Sequence, residues 1–327
     1  MERLSDQGRA QTNPRGADRM RQAHRQNTVG PWAKRKLDAL ERYFAAYHKV
    51  MQNQRFKLIY IDAFAGAGWS RMRTAPAEAF GLDLPIDDDQ VEAEEEFIAG
   101  SPVRALTTGR GFDHYFFFDA DPRRAELLEN LKRHHPQKDI RIKTGDANAG
   151  VQKLAEHFHK RPMARGVAFL DPYGPHLHWA TVQALAETRK VDVIINFPLA
   201  MAINRLITRD GQIRENWVQM LDACFGTHDW HSLAYEAEDD LFGSNTVRKS
   251  EAAAERLLAL YHGRLAHAFG HTAKPSLVTN TKGNPLYYLL WASANIRGVA
   301  IASHIMAMGN SVNLQELRHR KTTRRKG

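Results

Sequence analysis

The sequence predicts an α/β fold in which a doubly wound, mostly parallel sheet carries a helical insertion and closes with a terminal antiparallel hairpin. Three observations predict it. Lys57 to Gly68 passes from a continuous apolar run into a glycine-rich loop, the pattern of a strand buried on both faces. Later apolar runs lead into acidic residues at Asp119, Asp146 and Asp171, with helix-length segments between them. Ser276 to Thr281 and Leu286 to Ala292 are strand-like and flank Lys-Gly-Asn-Pro, a turn signal.

The elements follow in order. Residues 1–29 are rich in Arg, Gln, Asn and Gly without periodicity, which predicts a disordered basic arm. Trp32 to Met51 places Leu37, Leu40, Tyr43, Phe44 and Tyr47 at helical spacing, so a leading helix should pack on the core, expected over 30–198. The first core strand ends at Asp62, before Phe64, Gly66 and Gly68. No Lys or Arg lies between Arg73 and Arg104, where Asp83, Asp87, Asp88, Asp89, Glu92, Glu94, Glu95 and Glu96 gather. This acidic insertion at about 74–100 reads as a solvated loop, with a lid or partner-binding role as the alternative. Ser101 as N-cap and Pro102 as first helical residue start the next helix.

Tyr115 to Phe118, Ile140 to Lys143, the run before Asp171, and Asp192 to Asn196 are the following strands, the last ended by Phe197 and Pro198. Residues 199–270 read as a helical insertion, with helices around Ala200 to Thr208, Ile213 to Phe225 and Ser250 to Phe269. Residues 271–317 supply the closing hairpin and a final helix, leaving 318–327 as a basic tail. One domain with an insertion is expected, and no internal repeat is apparent.

With 327 residues and 43% apolar content, the chain can bury a sizeable core. A single cysteine, Cys224, excludes an intramolecular disulfide framework and any multi-cysteine metal site. The absence of a membrane-length apolar run or a signal-peptide core predicts a cytoplasmic protein without membrane contact. A net charge of +9 points to an anionic partner. The tail residues Arg318, Arg320, Lys321, Arg324, Arg325 and Lys326 would attract phosphate, although a solubilising terminus reads nearly as well.

The candidate site residues stand at strand ends. Gly66 and Gly68 let the backbone approach a cofactor, and Asp62 before them would repel a pyrophosphate. Arg71 stands where the dinucleotide fingerprint expects its third glycine. A cofactor bearing an ammonium group, S-adenosylmethionine, suits such a loop, with Phe64 counted among its contacts. Asp119 is a candidate for a ribose diol, Asp146 for an adenine amino group, and Asp121 is weaker; each alone also reads as a helix cap. Cys224 reads as a buried thiol. His176 and His178 share a face of an extended segment but have no acidic or cysteine companion nearby, so no metal is expected and polar lining is preferred. Asn196 and Pro198 flank the expected cleft, while Asn204 and Arg205 are weak candidates for substrate contacts.

These motifs resemble the class I, Rossmann-like S-adenosylmethionine-dependent methyltransferases over roughly residues 57–198 plus the final hairpin. Several stretches more closely resemble the bacterial three-Cys-motif partner protein family: Tyr-Ile-Asp-Ala-Phe-Ala-Gly-Ala-Gly, Gly-Ser-Pro at 100–102, Phe-Leu-Asp-Pro-Tyr-Gly at 169–174, Ile-Asn-Phe-Pro-Leu-Ala-Met-Ala-Ile-Asn-Arg at 195–205, and Lys-Gly-Asn-Pro-Leu-Tyr-Tyr-Leu-Leu at 282–290. The resemblance implies S-adenosylmethionine as cofactor and a three-Cys-motif protein as partner. Asp171-Pro172-Tyr173 resembles the motif with which base-modifying methyltransferases hold an exocyclic amine, lacking that motif's second proline. Such an amine is a poor nucleophile, so two acceptors that align it and an aromatic ring that stacks on the base supply most of the assistance available. The expected function is methylation of an amine on a nucleic-acid base, RNA or DNA. The alternatives are a non-catalytic or regulatory cofactor-binding partner, and a small-molecule or protein methyltransferase.

Overall fold

The computed structural model describes residues 28–30, 32–72, 97–239 and 245–307. Most of the expected basic arm, most of the acidic insertion expected at about 74–100, and the basic tail lie outside the described residues.

The fold is mixed α/β with a mostly parallel central sheet. Strand β1 (Thr28–Val29) and helix α1 (Trp32–Met51) lead into the first core strand, β2 (Lys57–Ala63). Short strands β3 (Trp69–Met72) and β4 (Phe97–Ala99) follow, then α2 (Ser101–Thr107), β5 (His114–Asp119), α3 (Pro122–Arg133), β6 (Asp139–Thr144), α4 (Ala147–His159) and β7 (Ala164–Leu170). Helix α5 (Trp179–Thr188) and β8 (Val191–Phe197) complete the parallel part. The chain ends in β11 (His271–Thr272), β12 (Ser276–Thr279), β13 (Pro285–Ser293) and helix α9 over 296–307.

The sheet runs β6-β5-β2-β7-β8-β13, with β11 and β12 pairing the outer edge of β13. β6, β5, β2, β7 and β8 are mutually parallel, and β13 is antiparallel to β8. The chain visits β2 first in the middle, moves outward through β5 to β6, then returns to β7 on the other side. The order therefore reverses beside β2, which opens a crevice at the strands' carboxyl ends.

Alternation along each strand builds two cores. Leu58 and Tyr60 of β2 pack with Leu40, Tyr43 and Phe44 of α1, together with Phe117, Phe169 and Trp291 from other strands. Ile59 and Ile61 point the other way, into a core with Val151 and Phe158 of α4 and Val182 and Leu185 of α5. Helices thus cover both faces, as a doubly wound sheet requires.

Several expected boundaries move. Residues 28–29 pair with β3 in a small sheet completed by β4, so the arm cannot extend to residue 29 and the acidic insertion ends before Phe97. The N-cap before α2 is Gly100, with Ser101 already helical. The 199–270 insertion is not wholly helical. It opens with a π-helical turn (Leu199–Ile203) and one α turn (Asn204–Leu206), continues with α6 (Glu215–Phe225) and α7 (Asp229–Ala234), and then forms a hairpin of β9 (Tyr235–Asp239) and β10 (Asn245–Lys249) before α8 (Ala253–Phe269). Pro198 offers only its carbonyl at the start of this turn, where Ala202 and Ile203 donate to it. The final helix is described only to residue 307.

The insertion is anchored by aromatic packing. Tyr261 of α8 stacks on Phe197 of β8 with centroids 4.3 Å apart and planes 18° apart, and meets Phe225 and Trp179 edge-on. Its hydroxyl is buried without a hydrogen-bond partner among the described residues. Tyr261→Phe should therefore leave stability unchanged or raise it by about 1 kcal/mol, whereas Tyr261→Ala should lose about 3–5 kcal/mol; chemical denaturation measures both.

Candidate functional site

Strand alternation decides which side chains meet at the crevice. Phe169 and Asp171, Ile194 and Asn196, and Trp291, Leu289 and Tyr287 lie two residues apart, so Asp171 and Asn196 follow the α1-side core to the edge of the sheet, where Tyr287 is its last buried ring. The α1 helix brings Lys36 to the same place. Its ammonium group donates to Asp171 Oδ2 at 2.5 Å, and Asn196 Nδ2 donates to Asp171 Oδ1 at 2.6 Å. Lys36 is only 12% exposed, with its Nζ 5.5 Å from the Tyr287 ring centroid and 5.8 Å from that of Phe169. A cation so shielded needs an anionic partner, and Asp171 provides it.

The cleft around this cluster has a volume of about 220 Å³. Phe64, Gly66, Gly68, Asp171, Pro172, Tyr173 and Asn196 line it, so the structure brings together residues from three separate motifs. Phe64 adopts a φ of 71°, a left-handed conformation costly for an aromatic residue, as the chain leaves β2. Ala65 N–H then donates to Phe118 O at 2.8 Å, fastening the loop to β5. Farther along, Gly100 N–H donates to Gly68 O at 2.8 Å, and a Cβ on Gly100 would stand 2.9 Å from the same oxygen. That contact accounts for the glycine of Gly-Ser-Pro.

Tyr173 is 63% exposed, with the Arg124 guanidinium 5.7 Å from its ring centroid. It is not a core residue. Lys36, Trp32, Ser101, Met201 and Tyr287 also line the cleft, though none was singled out as a site residue from sequence. Lys36 sits among other basic residues of an amphipathic helix; only its partly buried position distinguishes it, and no sequence motif carries that signal.

Other expected site residues lie elsewhere. Asp62 does not line the cleft. It is 0% exposed on the α1 side of β2, where alternation places it with Tyr60, whose hydroxyl donates to Asp62 Oδ2 at 2.8 Å. Asp119 is 4% exposed and stands behind the glycine loop, accepting from Gly66 N–H at 2.8 Å and Asp121 N–H at 2.9 Å. Asp121 caps α3 by accepting from Arg123 N–H. Asp146 is directed to a separate groove and caps α4, accepting from Asn148 N–H at 2.9 Å. Asn204 and Arg205 fall in the turn after β8, outside the cleft lining; Arg205 is exposed, and Lys249 Nζ donates to Asn204 O.

The histidines do not form a paired site. The backbone of 176–178 is held by Asn148, whose amide donates to His176 O and accepts from His178 N–H. No group of three or more His, Cys, Asp or Glu side chains is arranged to hold a metal ion among the described residues. Cys224 is buried, and burial pushes its thiol up to about 12. No helix among the described residues is long and apolar enough to cross a membrane.

No protein-family model and no curated protein matches the chain. Among solved structures, a Legionella pneumophila protein of the family-model DUF519 is similar at 13% identity, with 79% of this chain and 84% of that protein covered and a TM-score of 0.44.

Burial raises the Asp62 carboxyl from its ordinary value of 3.8 to about 7, against the opposing effect of hydrogen bonds from Ser101 and Tyr60. A carboxyl raised in the folded state keeps its proton while the unfolded chain loses it. Ionisation of Asp62 therefore costs no stability below about pH 4, and stability falls as pH rises from about 4 to 7. The melting temperature of Asp62→Asn relative to wild type should rise across that interval and level off above it; a constant difference would place the titration elsewhere.

Proposed function

We propose that this chain is an S-adenosylmethionine-dependent methyltransferase acting on an exocyclic amine of a nucleic-acid base. One observation carries the reading: the Phe64–Gly68 loop, Asp171-Pro172-Tyr173 and Asn196 share a single cleft at the carboxyl ends of parallel strands, beside the reversal of strand order. With its antiparallel β13 inserted between β8 and β12, the sheet is compatible with the class I, Rossmann-like arrangement.

The residues fit the cofactor in kind. Gly66 and Gly68 have φ values of 68° and 81° and open the loop backbone to close approach. Asp119 holds that loop through Gly66 and, with about four lone-pair sites on its carboxylate, retains acceptor capacity for a ribose hydroxyl. When bound, S-adenosylmethionine supplies a methyl group on a positively charged sulfur. Asp171 and the Pro172 carbonyl accept from the target amine and orient its lone pair, while the exposed Tyr173 ring offers a face for the base. Asp171 already accepts from two nitrogens, so its setting suits recognition of N–H donors.

The same contacts favour a second reading. Lys36 and Asn196 occupy one oxygen each of Asp171, as expected if the carboxylate is structural and the chain is a cofactor-binding, regulatory partner of a three-Cys-motif protein. Catalysis and scaffolding give different outcomes on mutation.

Calorimetry should detect S-adenosylmethionine binding to wild type. Asp119→Ala should weaken it at least about tenfold, because charged hydrogen bonds contribute about 1.5–3 kcal/mol. Unchanged affinity in a folded Asp119→Ala protein would remove the cofactor assignment.

Radiolabelled methyl incorporation into total RNA and DNA tests the reaction itself. Folded Asp171→Ala should bind cofactor but lose transfer. Tyr173→Ala should lose about 1–3 kcal/mol of substrate interaction, and Tyr173→Phe should keep most of it. An active wild type beside a fully active, folded Asp171→Ala would show that the catalytic site lies elsewhere.

A further inference from the structure

The face of the sheet opposite the cleft carries a second opening, a groove of about 550 Å³ beneath α4 along β5 and β6. Phe116 and Phe118 lie on its sheet side, and Arg141, Lys143, Lys153 and Arg161 line it as exposed side chains. Alternation produces this arrangement. Ile140 and Ile142 turn toward the α1-side core, leaving Arg141 and Lys143 on the other face beside Phe116 and Phe118.

The cations differ in what they can offer. Asp139 fixes the Arg141 guanidinium through two N–H donors at 3.1 and 3.0 Å, with its centre 5.3 Å from the Phe116 ring centroid. Arg141 is therefore a guanidinium held in place over Phe116 more than a free charge. No carboxylate among the described residues pairs with Lys143, Lys153 or Arg161. Asp146, the carboxylate in the lining, is already engaged as the cap of α4.

An aromatic floor alone would suit many apolar ligands. Three uncompensated cations add a demand for repeated negative charge, and a guanidinium held over an aromatic ring offers a platform for a base. We propose that this groove binds single-stranded nucleic acid, with phosphates on Lys143, Lys153 and Arg161 and a base against the Arg141–Phe116 surface. At the carboxyl ends of the strands Asp119 stands between the two openings: its carbonyl accepts from Gly145 N–H at 3.1 Å and its carboxylate accepts from Gly66 N–H. The binding claim comes from the groove's own residues and rests on the proposed function only in identifying the strand as methyl acceptor.

Fluorescence anisotropy with the full chain and labelled RNA and DNA single strands of about 12 nucleotides tests it without methyl transfer. The variant carrying Lys143→Glu, Lys153→Glu and Arg161→Glu should bind at least about tenfold more weakly, and its log Kd against log salt should flatten by about 2. The milder Lys143→Gln, Lys153→Gln pair should move both quantities in the same direction, and melting curves establish that each protein is folded. Calorimetry should show S-adenosylmethionine affinity unchanged in both variants if wild type binds it, so failure of cofactor binding is read separately from failure of the groove. Wild type that binds neither strand, or folded variants that retain wild-type affinity and salt slope, would overturn the proposal.

Discussion

The contact between Lys36 and Asp171 ties helix α1 to the strand ends that form the cleft. Lys36 comes from α1, Asp171 from the end of β7, and Asn196, the second donor to Asp171, from the end of β8. Separating such a partly buried pair by removing one partner leaves a charge poorly compensated, a larger penalty than losing an exposed surface pair. The pair consequently fixes how closely α1 lies across the strand ends. Trp32, whose carbonyl receives the Tyr287 hydroxyl, borders the same cleft, so α1 is both a layer of the core and a wall of the site.

The glycine loop is controlled from the neighbouring strands. Phe118 O receives Ala65 N–H, Asp119 receives Gly66 N–H, and Gly68 O receives Gly100 N–H. Three successive portions of the loop are thereby bonded to β5 or to the start of α2. The strained backbone at Phe64 persists because these contacts determine the path on either side of it. A loop fixed in this way presents a preformed surface and need not be ordered at the moment of binding.

Much of this was legible in the sequence because buried parallel strands have a strong signature. The apolar runs before Asp62, Asp119 and Asp171 correspond to β2, β5 and β7, and the Lys-Gly-Asn-Pro signal marks the turn between β12 and β13. The helix-capping roles weighed for Asp121 and Asp146 are what their backbone contacts show. The β9–β10 hairpin was missed because Tyr235–Asp239 carries three acids and lacks the apolar alternation of a half-buried strand. For Asp62 the difficulty was different. A carboxylate at a strand end suggests a ligand, but whether it reaches the crevice depends on what covers that face of the sheet. Here α2 and Tyr60 enclose it. Lys36 was illegible for the converse reason, since its role arises from a partner 135 residues away.

Strand periodicity also explains how one sheet can direct Asp171 into the cleft and cations to its reverse. Along β6, Ile140 and Ile142 must face the α1 side to complete that core, which commits Arg141 and Lys143 to the α4 side. Along β7, burial of Phe169 commits Asp171 to the α1 side, within reach of Lys36. A one-residue register slip in either strand would bury charge and expose the aliphatic or aromatic side chains that now build the core. The apolar residues therefore determine the separation of charge: the same packing that holds the sheet together directs its acidic strand end to one face and its cationic edge to the other.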